Sequence, residues 1–248
     1  MSEKKLDLIA QLLAKAEKTT PEEAEALVEA ATKLMVKYGI DQARIDERRA
    51  REGRGSERII ESSIPFFGTY AKEVLQMGVN VAFALGTLRP LESRVIFPKE
   101  GWRLHIVGFE SDVEQALILI RSLEIQAAVA MRSWWRENRP QYNWDTENNK
   151  LRARRSHIIG FGIGAASRIR DSRESVIEEA GTGTDLVLVS RRSKVDAFVD
   201  SKFRGKSRRR QGKVDHRAAQ DGHTDGRNAN TGGPQVSAGR GLAAQASQ

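Results

Sequence analysis

Apolar residues at helical spacing open the chain. Leu6 and Ile9 begin a stripe that recurs every three or four residues, which places its members on one face of a helix. Thr20, followed by proline, is typical of the start of a second helix, and Gly39 is typical of its end. Because the connection is short, we expect residues 1–45 to form an antiparallel helical hairpin.

Strand-like runs follow in the region 58–204, which we interpret as a small α/β domain. The run at 58–66 is expected to form a short strand. The runs at 91–98 and 102–109 are rich in β-branched and aromatic residues and are separated by Lys99, Glu100 and Gly101. This spacing predicts an antiparallel β-hairpin.

Helical periods alternate with these strands. They predict helices over 69–85, from Ser111 onward and over about 150–172, with Ser111 and Glu114 forming a capping box. The run at 186–190 predicts another strand, whereas 195–200 fits strand or helix. The predicted fold class is α+β and helix-rich, with helices on one face of a small antiparallel sheet.

Charge and composition set the remaining boundaries. Residues 46–57 are expected to be a charged linker, and residues 205–248 a disordered basic tail, because apolar residues nearly vanish there. The chain has no cysteine, which excludes disulfides and thiolate sites. The amino terminus does not resemble a signal peptide and the longest apolar run is short, so we expect a cytoplasmic protein without a membrane partner.

The best candidate site combines aromatic residues with arginines around residues 132–155. Aromatic faces stack on bases and guanidinium groups bind phosphate, so this mixture is typical of a groove for single-stranded nucleic acid. The net charge of +8 favours the same class of partner. The predicted nucleic-acid-binding residues are Arg132, Trp134, Trp135, Arg136, Arg139, Trp144, Arg152, Arg154, Arg155, Arg208, Arg209 and Arg210.

An alternative places these tryptophans in the core, with arginines stacked over their faces. Neighbouring Trp134 and Trp135 point about 100° apart on a helix, so at least one of them should reach a surface or an interface. The arginines at 208–210 also have an alternative interpretation, since a basic run can serve only as a solvated tail.

Other motifs favour no enzymatic site. Gly160 and Gly164 lack the spacing of a nucleotide-binding loop and fit close helix packing better. His105 is expected to be an ordinary strand residue, and the histidines of the tail are expected to be solvated. No catalytic residue, metal or cofactor is predicted, so an enzyme is the less favoured class, although an ordered pocket holding His105 or His157 with carboxylates would change that.

The amino-terminal pattern also carries a family resemblance. LLAKAE, a Thr-Pro turn, EAEAL and KYGID resemble the domain of unknown function family numbered 2786, found in bacterial and phage proteins. The segments VGFESDVEQALILIRSL and HIIGFGIGAASRI resemble the domain that often follows it. The resemblance implies no site residues. Because of the aromatic and arginine residues at 132–155 and the net charge, we expect a nucleic-acid-binding accessory protein. The alternative is a protein-interaction or self-association module built on the helical hairpin.

Overall fold

The structure is a computed structural model. It describes residues 57–97, 99–181, 184–203 and 213–229, together with individual residues between 8 and 48, all of which are helical. Ile9, Ala31 and Met35 from this first part are buried in the same core as the rest of the chain. The turn of the predicted hairpin, most of the predicted linker 46–57 and the arginines at 208–210 lie outside the described residues.

Three strands and five helices form the described part beyond residue 57. The strands are β1 (Ile59–Phe67), β2 (Arg89–Val95) and β3 (Gly101–Phe109). The helices are α1 (Ala71–Leu85), α2 (Glu110–Asn138), α3 (Glu147–Ala180), α4 (Thr184–Lys202) and α5 (His216–Arg227), with a 3-10 turn at Arg139–Tyr142. The helix-rich α+β class is confirmed, as are the predicted β-hairpin and the helix over 69–85.

The sheet has the order β1-β3-β2, and both pairings are antiparallel. Its inner face, which includes Leu104 and Ile106, packs on helices α1 and α2, and α3 packs on these two helices to complete the main core. Its outer face is partly covered by α4, where Val107 and Phe109 pack against Val195. The helices therefore lie on both faces of the sheet, and the prediction of helices on one face only is wrong.

The prediction of a strand near residue 186 is also wrong. The run at 186–190 is the first half of α4 and not a strand. Its β-branched residues favour a strand locally, but the segment is a helix that buries Leu188 and Val195, two turns apart, while Leu186 and Val189 face solvent. Among the residues that the structure describes, no helix is long and apolar enough to cross a membrane.

The start of α2 is held by a long-range contact instead of the predicted capping box. Helix α2 begins at Glu110 and has no side-chain cap bond from its N-cap residue. The backbone N–H of Ser111 donates instead to Glu57 Oε1 at 2.6 Å. Arg191, which is buried, pairs with Glu57 Oε2 at 2.6 Å and Asp112 Oδ2 at 2.9 Å. Burial opposes ionisation, but Arg191 holds the pKa of Glu57 below its usual value.

Candidate nucleic-acid interface

An aromatic cluster lies where α2 ends and α3 begins. We define it as Trp134, Trp135, Tyr142 and His157. The ring centroids of Trp134 and His157 are 4.9 Å apart, and those of Trp135 and Tyr142 are 5.5 Å apart. The 3-10 turn brings Tyr142 back toward the two tryptophans of α2, so the cluster is assembled from both helix ends and the turn between them.

Helix α5 supplies the polar partners of this cluster. Trp134 Nε1 donates to Asp221 Oδ2 at 2.9 Å, and the Tyr142 hydroxyl donates to Asp215 Oδ2 at 3.2 Å. Asp215 also caps α5, since its Oδ1 accepts from the N–H of Ala218. Burial, reinforced by the negative charge of Asp215, raises the pKa of Tyr142 to about 12.

His157 is the most deeply buried member of the cluster. Its side chain has no exposed surface, and its Nε2 lies 2.9 Å from Asp225 Oδ2. Its Nδ1 has no hydrogen-bond partner among the described residues. Since an ionised carboxylate only accepts, Nε2 carries the proton in this bond. The contact therefore joins α3 to α5, and because the ring is fully buried, its Nδ1 is not accessible from solvent.

Four glycines explain how α5 approaches α3 so closely. A Cβ at Gly160 would collide with the carbonyl oxygen of Ala219, and one at Gly164 with that of His223. Conversely, a Cβ at Gly222 or Gly226 would collide with backbone oxygens of α3. The two backbones are therefore in direct contact, which confirms the packing role predicted for Gly160 and Gly164.

The docking of α5 corrects the prediction of a disordered tail. Residues 216–227 form a helix packed on α3, so that prediction is wrong for this segment. Disorder was predicted because α5 has few apolar side chains, but the helix packs on α3 through the backbone of its glycines. His223 is partly buried rather than solvated, whereas His216 is exposed as predicted.

An open surface lies beside the buried cluster. We define it as Arg132, Arg136, Arg139 and Trp144, all of which are exposed. The side chains of Arg132 and Arg136 make no hydrogen bond or ion pair within the described part of the chain. They are four residues apart on α2 and therefore share one face. Trp144 lies in the turn before α3 with its whole side chain in solvent.

The remaining predicted site residues fall into three groups. Trp134 is 7% exposed and bonded to Asp221, so the prediction that it stacks on a base is wrong. Trp135 is half-buried under the guanidinium of Arg154, whose Cζ is 4.9 Å from the ring centroid. Arg152 donates to Asn149, and Arg155 lies 3.6 Å from Glu73. Of the predicted arginines that the structure describes, Arg132, Arg136 and Arg139 have fewer protein partners than Arg152, Arg154 and Arg155.

A polar cluster on the sheet was not predicted from the sequence. His105 was expected to be an ordinary strand residue, but its two ring nitrogens contact Ser93 and Glu61. We call Glu61, Ser93 and His105 the sheet triad. These residues are 12 and 44 positions from His105, so only the strand register reveals the arrangement.

The amino-terminal segment meets the rest of the chain at a small cavity of about 40 Å³. Met35, Gly39 and Ile40 line one side of it. The other side includes Asp112 and Gln115, and the amide nitrogen of Gln115 is buried without a partner among the described residues. Burial raises the pKa of Asp112. Gly39 and Ile40 of the KYGID segment therefore meet the second part of the chain at a small cavity that is lined by both apolar and polar side chains.

Comparison with known protein families finds a match in this amino-terminal segment. Residues 4–42 match a family described as a protein of unknown function, DUF2786. The resemblance predicted for the first part of the chain is thereby confirmed. The resemblance of the later segments to a downstream domain stays a prediction. No curated protein and no solved structure matches the chain significantly.

Proposed function

We propose that this DUF2786-containing chain is a cytoplasmic accessory protein that binds single-stranded nucleic acid through its open surface. The supporting observation is the exposed face of α2, where Arg132 and Arg136 have no partner within the described part of the chain, beside the fully exposed ring of Trp144. Binding of this kind needs no catalytic group. It needs a cationic surface that follows the phosphate backbone of the strand and an aromatic ring on which a base stacks.

Each part of the surface has a defined chemical role in the proposal. Guanidinium groups bind phosphate oxygens in a bidentate fashion, and releasing counterions from the strand makes the affinity depend on salt. The ring of Trp144 stacks on a base, which contributes about 1–3 kcal/mol per base. The half-buried Trp135, already covered by Arg154, contributes at most one edge of the platform. Arg208, Arg209 and Arg210 add sequence-independent affinity.

The test is a salt series of equilibrium binding measured by fluorescence anisotropy. Labelled single-stranded and duplex DNA and RNA are titrated with the full chain. A variant combining Arg132→Ala, Arg136→Ala and Arg139→Ala is measured in parallel. On a single strand each lost phosphate contact lowers the slope of log affinity against log salt by about 0.7, so we expect a slope reduced by about 2.

The matched control is Arg192→Ala, because Arg192 is an exposed arginine on a different helix, α4, and has no hydrogen bond or ion pair to any residue that the structure describes. It should leave the slope nearly unchanged. Truncation after Phe203 is not a suitable variant, since it would also remove the docked helix α5. No binding at low salt, or equal slopes for the wild type and the triple variant, would refute the proposal.

The alternative proposal is a protein-interaction module. Ile125 and Val129 are exposed on the same face of α2 as Arg132, which favours a partner with mixed apolar and acidic character. The helical hairpin, which the sequence predicts as the docking element, lies largely outside the described residues. Light scattering distinguishes the two proposals. A monomer that shifts in mass only with nucleic acid contradicts self-association.

A further inference from the structure

The sheet triad occupies the outer face of the sheet. In the antiparallel register, Ser93 lies opposite Arg103 and Glu61 lies opposite Val107. Arg103, His105 and Val107 alternate along β3 and point to one face. Ser93, His105 and Glu61 therefore come from three neighbouring strands and meet on the same face. The side chain of His105 is 24% exposed, so solvent and solutes can reach it.

Hydrogen bonds fix the orientation of the imidazole in this triad. His105 Nδ1 is 2.7 Å from Glu61 Oε1, and His105 Nε2 is 2.8 Å from Ser93 Oγ. An ionised Glu61 can only accept, so it selects the tautomer with the proton on Nδ1. Nε2 is then the acceptor for the Ser93 hydroxyl. This is the arrangement of nucleophile, base and orienting carboxylate that activates a serine.

The surroundings provide a charged group and an apolar wall. Arg103 lies directly across from Ser93, and its Nε has no partner among the described residues. Leu91 lies directly across from His105. It belongs to the apolar cluster formed with Phe198 and Phe203 at the carboxyl end of α4. A cationic donor therefore adjoins the serine on one side, and apolar side chains adjoin the histidine on the other.

We propose that Ser93, His105 and Glu61 form a nucleophilic site that hydrolyses carboxylic esters with an apolar acyl group. Ser93 Oγ gives its proton to His105 Nε2 and forms a bond to the ester carbonyl carbon. The carbonyl electron pair moves onto oxygen, and Arg103, the residue across from Ser93, supplies the positive charge that offsets the developing negative charge. When the intermediate collapses, the ester C–O bond breaks and the leaving alcohol takes the proton from Nε2.

Water completes the reaction on the acyl-serine. His105 Nε2 takes a proton from water while the hydroxyl oxygen attacks the acyl carbon. The carboxylic acid then leaves, and Ser93 Oγ regains the proton. Glu61 is a positioning residue, because it acts only through the imidazole. The activity is independent of the open surface, since the triad lies on β1, β2 and β3.

Covalent labelling tests the nucleophile directly. The full chain is treated with an alkyl fluorophosphonate, which loses fluoride when it phosphonylates an activated serine, and the modified peptide is mapped by mass spectrometry. We expect the label on Ser93, its complete loss in Ser93→Ala, and a rate about a hundredfold lower in His105→Gln. Labelling that is absent, or that persists in Ser93→Ala at the wild-type rate, overturns the proposal.

The matched control is Ser63→Ala. Ser63 is an exposed serine on the same face, directly opposite His105, and makes no side-chain hydrogen bond among the described residues. It should not be labelled, and its variant should react like the wild type. Hydrolysis of p-nitrophenyl butyrate gives the second readout. We expect Glu61→Gln to lower kcat without raising KM and without changing the unfolding temperature. An unchanged kcat contradicts the positioning role.

Discussion

Trp134 and Trp144 lie ten residues apart in the same aromatic and basic segment, yet they occupy opposite environments. Trp134 packs against His157 and donates its indole N–H to Asp221 of α5. Trp144 has no such partner and extends into solvent. The aromatic cluster and the open surface therefore each contain a tryptophan from one segment of the chain. The buried tryptophan differs from the exposed one by its hydrogen bond to a carboxylate of α5.

The comparison shows that composition does not assign a role to an aromatic residue. A buried indole N–H needs an acceptor, and α5 supplies one for Trp134. Water can satisfy the indole N–H of Trp144, whose ring is fully exposed and accessible to a ligand outside the chain. The aromatic cluster stabilises the docking of α5, whereas the open surface is available for binding.

The largest expected effect comes from breaking the contact between α3 and α5. Gly222→Val places a branched side chain against the backbone of α3, so we expect a loss of about 3 kcal/mol or more in the free energy of unfolding. Urea unfolding followed by tryptophan fluorescence measures it. Gln220→Val, which adds the same side chain on the exposed side of α5, should have little effect. Equal stability of the two variants would contradict direct backbone contact.

The next largest effect concerns the acceptor of Trp134. Asp221→Leu leaves the buried indole N–H unsatisfied and should cost about 1–3 kcal/mol in stability. Asp221→Asn keeps an acceptor and should recover most of that loss. Thermal unfolding of both variants provides the comparison. If both are as stable as the wild type, the hydrogen bond does not hold α5 in place.

The open surface should respond in binding and not in stability. Trp144→Ala is expected to weaken single-strand binding by about 1–3 kcal/mol while leaving the unfolding temperature unchanged. Phe97→Ala is the control, because Phe97 is an exposed aromatic residue beside β2. A Trp144→Ala variant that loses stability but keeps its affinity would reverse the assigned roles.

The smallest effect is a pH dependence at Tyr142. Its pKa in the folded state, about 12, is above the ordinary value of 10. A raised pKa means that the contribution to stability is complete below about pH 10 and is lost as the pH rises toward 12. The difference in phenolate absorbance between wild type and Tyr142→Phe isolates this group. Titration of Tyr142 together with an ordinary tyrosine would contradict its burial beside Asp215.

Local patterns predicted the parts of the fold that depend on local physics. The β-hairpin of β2 and β3 follows from two β-branched runs around a short turn, and helix α1 follows from its apolar spacing. Gly86 ends α1 in the left-handed conformation, as a glycine at that place favours. These elements need no information from distant residues.

The remaining features depend on contacts that the sequence does not reveal. Helix α5 packs on α3 through its glycines, and three aspartates in or next to it bind side chains of the aromatic cluster. Because few of its residues are apolar, its composition alone predicts disorder. The sheet triad depends on a register between three strands. For the candidate interface, the residue types at 132–144 led to the prediction, but they did not show that Asp221 and Asp215 of the α5 region bind Trp134 and Tyr142.

Photo-cross-linking tests the central claim most directly. A single-stranded oligonucleotide carrying bromouracil is irradiated with the full chain, and the adducts are mapped by mass spectrometry. We predict an adduct on Trp144, reduced in the variant lacking Arg132, Arg136 and Arg139, and none on the buried Trp134. Adducts confined to positions outside residues 132–155 would contradict binding at the open surface. An adduct on Trp134 in the folded protein would contradict the burial of this residue in the aromatic cluster.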